Sequence, residues 1–169
     1  MLSVSPALPA LIRLNREWLA QAAELIERLD EERYAAAGPH FRHIVEFYDC
    51  FLRGVTSGKI DYDGRSRERR LETSRESALE RIATLRADLE TVGEPGRPVM
   101  VKAEDAEGLG LADPWLASSV GRELQSLSGH TVHHFAIIAL TLRPLGVALD
   151  PSFGVAPSTL RHGDRLCAR

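Results

Sequence analysis

SSVGRELQSLSGHTVHHFAIIAL, residues 118–140, places apolar side chains at the three- and four-residue steps of an amphipathic helix. Taking Val120 as zero and turning about 100° per residue, Leu124, Leu127, Thr131, Ile138 and Leu142 fall within about 40° of one line. His134 lies inside that stripe and His130 at its edge beside Ile137. His133 falls on the opposite side with Arg122, Gln125 and Gly129. Residues four apart on a helix project from one face, one turn above the other, so His130 and His134 can share one divalent ion. The alternative is two core histidines that each hydrogen-bond a neighbour.

A second source of imidazole lies upstream, in GPHFRHIVEFYDCFLRGV, residues 38–55. Ile44, Tyr48, Phe51 and Val55 form the apolar line of a helix that Gly38-Pro39 is expected to open. His40 lies about 50° from that line and His43 about 110°, beside Phe47 and Cys50, so the wheel slightly prefers His40. Catalytic zinc and related ions take three protein ligands and keep one position open, and one histidine here plus the downstream pair gives that count.

The rest of the chain reads as further helices. Leu11, Leu14, Trp18, Leu25 and Leu29 predict a first helix over 9–36, and Leu71, Ala78, Ile82, Leu85 and Leu89 predict a third over 68–92. GEPGRP, residues 93–98, stops that helix. PVMVKAED, residues 98–105, suits a short strand, with 107–111 as its expected partner. Ser118 or Ser119 is expected to cap the last helix, with Glu123 in its early turns. The tail from 150 onward reads as irregular, with Phe153 and Leu160 packing back and the last residues frayed. The expected architecture is one all-α domain over residues 1–169: a four-helix bundle with a short extended or hairpin insertion between helices three and four.

Composition narrows the function. A chain of 169 residues buries one core without staples. A net charge of −3 gives no electrostatic footprint for nucleic acid, and Arg65, Arg67, Arg69 and Arg70 alternate with Glu68 and Glu72 as a solvated linker would. No apolar run suits a membrane span or a signal peptide, so a soluble cytoplasmic protein with no membrane partner is expected. Cys50 and Cys167 form no CxxC and are expected as reduced thiols. Trp18, Leu19 and Ile26 extend the apolar face of the first helix, which suggests a homodimer.

A long first helix, a second carrying HxxH at residues 40–43, the linker IDYDGRSRE at 60–68, a charged third helix and the last helix with HTVHH together resemble the DinB-like superfamily of helical metalloproteins. The resemblance spans nearly the whole chain. It implies a metal site of His43, His130 and His134, because the family's upstream ligand tends to precede an aliphatic residue, as His43 precedes Ile44. It implies no DNA binding. The implied cofactor is a divalent transition metal (zinc, nickel, iron or manganese), and the implied partner is a small-molecule substrate, in some relatives a thiol. Thiol transfer, isomerisation and hydrolysis all occur among such relatives. Ala136 stands where the ergothioneine-synthase type carries an acidic residue, so that iron chemistry is not expected. Glu46 and Glu123 are the carboxylates placed to serve as a base, and Asp61, Tyr62 and Asp63 can line a pocket mouth or form a solvated turn. The contrasting expectation is a non-catalytic metal-binding or structural dimer.

Overall fold

The computed structural model describes residues 7–167. Its helices are α1 (Ala7–Arg28), α2 (Glu31–Ser57), α3 (Arg70–Thr73), α4 (Arg75–Asp88), α5 (Val120–Leu142) and α6 (Pro157–Cys167). Strands β1 (Lys59–Ile60), β2 (Pro98–Lys102) and β3 (Trp115–Ser119) form a mixed sheet in the order β1-β2-β3. The expected all-α four-helix bundle is therefore corrected: the described residues hold six helices and a three-stranded sheet. Helix α5 packs on α1 and α2, and α4 packs on the same two. The core between them is built from Leu19, Ile26, Phe41, Tyr48, Phe51, Ile82, Leu85, Leu124 and Phe135, all buried.

Each departure from the expected boundaries has a local cause. The first helix stops at Arg28, and Asp30, in an extended conformation (φ −77°, ψ 174°), caps α2 by accepting the Arg33 N–H at 2.8 Å. Gly38-Pro39 consequently lies inside α2 and does not open it. Gly38 is required there because a Cβ would meet the Glu72 carbonyl oxygen at 2.0 Å, where α3 crosses α2. Tyr34, buried one turn earlier, donates its hydroxyl hydrogen to the Leu71 carbonyl across the same junction.

The expected third helix is split. Ser74 leaves helical geometry (φ −119°, ψ 109°) and its side chain accepts the Ser77 N–H, so α3 and α4 are separate helices. The strand in PVMVK is present, but its antiparallel partner is Trp115–Ser119, with Met100 opposite Ala117. Residues 107–111 turn, with Leu109 N–H bonded to the Asp105 carbonyl and Gly110 N–H to that of Glu107. The other edge of β2 pairs in parallel with β1, which follows directly from α2.

The tail is not irregular throughout, since α6 occupies Pro157–Cys167. Phe153 is buried and stacks on Phe135 at 4.6 Å, while Leu160 remains 38% exposed and does not pack as expected. Gly154, at φ 76°, lies where a Cβ would be 2.5 Å from the Ala136 nitrogen, so the tail runs directly along α5. Ala168 and Arg169, at the expected frayed end, lie outside the described residues.

Candidate metal centre

Helices α2 and α5 bring four imidazoles together. His43 Nε2 lies 3.1 Å from His130 Nε2, and His40 Nδ1 lies 3.2 Å from His134 Nδ1. Ring centroids of His43 and His134 are 4.5 Å apart, and those of His130 and His134 are 4.6 Å apart. One potential ligand atom from each of His43, His130 and His134 lies within 4.8 Å of the others, so this cluster can hold a metal ion. His40 touches the cluster through His134. His133 is exposed, and its ring meets His134 edge-on at 5.3 Å.

The cluster suits a cation for three reasons. Two nitrogens each about 2.0–2.1 Å from one tetrahedral ion stand roughly 3.3 Å apart, close to the His43–His130 separation. The rings are half-buried, and burial, as the largest cause, pushes His43 and His130 down to about 4 and His134 to about 3. Neutral imidazole is the form that ligates. His130 Nδ1 is also buried with no hydrogen-bond partner, so the polar contact of this ring lies on its Nε2 side.

Below the histidines a buried polar network fixes the helices. Asn15 donates to the Leu11 and Leu124 carbonyls, Tyr48 donates to Asn15 Oδ1 at 2.7 Å, and the Tyr48 hydroxyl contacts Thr131 Oγ1 at 3.2 Å. Thr131 directly follows His130, so this network ties α1 and α2 to α5 beside the site. Trp18 adds an indole bond to Ser128 Oγ at 2.9 Å. Leu19 and Ile26 are fully buried within the chain, so a dimer through α1 would have to use other residues.

Of the two carboxylates considered as bases, Glu123 is engaged through both oxygens and Glu46 through Oε1 only, its Oε2 being buried without a hydrogen-bond partner. Buried Glu46 accepts the Ser66 hydroxyl and the Glu68 N–H through Oε1 and faces Arg42 at 3.9 Å. Glu123 accepts Tyr62 OH at 3.0 Å and Ser118 Oγ at 2.5 Å. Capping of α5 falls to Ser119, which accepts the Arg122 N–H. Asp61 organises the linker: it accepts the N–H groups of Asp63 and Gly64 and pairs with Lys102 at 3.0 Å. Asp63 accepts the Asp105 N–H. Cys50 is buried, and burial pushes its thiol up.

Sequence reasoning offered Tyr62 as a pocket-mouth residue but missed the parts played by Phe47 and Arg65. Phe47, one turn after His43, stacks on His130 at 3.9 Å and on Tyr62 at 5.1 Å. Arg65, read as part of a solvated linker, lies 4.9 Å over the Phe47 ring. The available signals were the i, i+4 spacing of His43 and Phe47 and the i, i+3 spacing of Tyr62 and Arg65.

No family profile and no solved structure matches the chain. Over 104 residues, 61% of its length, it is 33% identical to FK506-binding protein 5 of Rhizopus delemar, and the aligned part covers 27% of that fungal protein. No helix among the described residues is long and apolar enough to cross a membrane.

Proposed function

We propose that the chain is a DinB-like metalloprotein in which His43, His130 and His134 hold one divalent transition metal for chemistry on a small molecule, by hydrolysis or thiol transfer. The observation that carries this reading is the convergence of three imidazoles, one from α2 and two from α5, with one ligand atom of each within 4.8 Å of the others. When bound, the ion supplies Lewis acidity to a carbonyl or to water, and three uncharged ligands leave its charge undiminished. His43 is the α2 ligand in this reading. His40, against His134 Nδ1, is a positioning residue that fixes that ring. Phe47 closes one side of the site against His130. FK506 binding belongs to the name of the fungal protein, of which 27% aligns here, and contributes nothing to the reading of the histidines.

The engagement of both oxygens of Glu123 favours a second reading, a metal-binding protein without catalysis, in monomeric or homodimeric form. Of the two carboxylates placed to act as a base, only Glu46 keeps an oxygen, Oε2, without a hydrogen-bond partner, and that oxygen is buried.

Elemental analysis of protein purified without an affinity tag tests the site. About one zinc, nickel, iron or manganese per chain is expected, lost in His134→Ala and retained in His133→Ala. Equal metal content in both variants contradicts the ligand set. Assays of thiol transfer and of ester and amide hydrolysis, with and without chelator, separate the two readings. Activity that survives metal removal rules out the first.

A further inference from the structure

We propose that Arg65 is the recognition group for a carboxylate-bearing small molecule at the mouth of the histidine cluster. This inference rests on the metal-centre reading above and names the substrate class of that site.

Arg65 is held in place at one end only. One guanidinium nitrogen donates to the Tyr62 carbonyl at 2.6 Å, and the guanidinium carbon sits 4.9 Å over Phe47. Phe47 in turn stacks on His130 and lies 4.7 Å from His43, so one aromatic ring connects the guanidinium to both imidazoles.

Arg65, like Arg53 and Arg67, pairs with no carboxylate among the described residues, but it lies over the ring that stacks on His130. Arg42 is paired with Glu72 at 3.0 Å and Arg81 with Asp49. Arg65 makes no ion pair among the described residues, and Glu46 and Glu123 are already engaged by the groups named above. A guanidinium carries five N–H donors, and Tyr62 uses one face of that fork. The remaining donors match a planar carboxylate in a bidentate pair. A single fork favours one carboxylate over a phosphate, which commonly gathers several cationic or backbone donors. With an ion on the histidines, the guanidinium would add to the positive field of the site, which an anionic ligand relieves.

The test is an NMR titration of the zinc-reconstituted chain with acetate and, separately, inorganic phosphate, following the Arg65 Nε–H and the histidine ring resonances. Acetate is expected to shift both sets with one dissociation constant and to bind more tightly than phosphate. Arg65→Gln should weaken acetate by about tenfold or more, the loss expected for a charge-assisted bond. Arg65→Lys should recover part of it, with zinc content and melting temperature unchanged in both variants. Undiminished acetate affinity in Arg65→Gln, no acetate binding, or phosphate binding at least as tightly overturns the assignment. Should Arg65→Gln fail to fold, Arg65→Lys decides, because loss of the fork alone must already weaken acetate. A chain that takes up no zinc overturns the metal reading, and the same titration of the metal-free chain then decides the role of Arg65.

Discussion

His134 is the imidazole most strongly discouraged from taking a proton, held at about 3 by burial and by the neighbouring His130 and His43. His43 and His130 are held at about 4, also first by burial. An unfolded chain protonates these rings near 6.5, so between about 6.5 and 4 it binds more protons than the folded one. The stability of the metal-free protein should therefore be at its full value above about pH 6.5 and fall steadily as the pH drops toward 4. Urea titrations at pH 7 and 4.5 measure the difference, and His134→Ala should make it smaller. Equal slopes in wild type and His134→Ala would mean that the ring is not kept neutral by its surroundings. The sequence made this pair legible because α5 follows a regular 3.6-residue period, which separates His130 and His134 from exposed His133. The choice between His40 and His43 was not legible from the wheel. Its apolar line averages over contacts with several neighbouring elements, whereas the cluster depends on the one direction that faces α5.

The junction of α2 with α3 depends on a missing side chain. Replacing Gly38 by Ala would drive a methyl group into the Glu72 backbone, and separating the two segments should cost about 1–3 kcal/mol. Chemical denaturation should show a lower midpoint with an unchanged slope, and an unaltered midpoint would show that the crossing is loose. The helix break at Asp30 was hidden because LDEERY has a capping aspartate but no acidic residue three positions on, so the apolar period runs across it without interruption. The strand partner of PVMVK was misplaced for a related reason. β3 is short, with Leu116 59% exposed and Trp115 half-buried, so it lacks the alternation that marks a strand with one covered face. Arg65 was read as linker because its sequence neighbours are charged, while its neighbours in space are Phe47 and Tyr62.

The Asn15–Tyr48–Thr131 network joins three helices through groups that water does not reach. Tyr48→Phe removes the hydroxyl and leaves Asn15 Oδ1 without its donor, which should cost about 1–3 kcal/mol. The loss should appear as a lower melting temperature, with metal content preserved, because Phe keeps the ring volume between the helices. Loss of metal along with the hydroxyl would show that the network sets the ligand positions as well. The facing nitrogens of His43 and His130 also belong to residues 87 positions apart. An ion held by this cluster could meet all three imidazoles only after synthesis had passed His134, and a refolding chain must close that long loop first. Metal should therefore leave the folding rate almost unchanged and act on the reverse step, lengthening the lifetime of the folded state in stopped-flow unfolding.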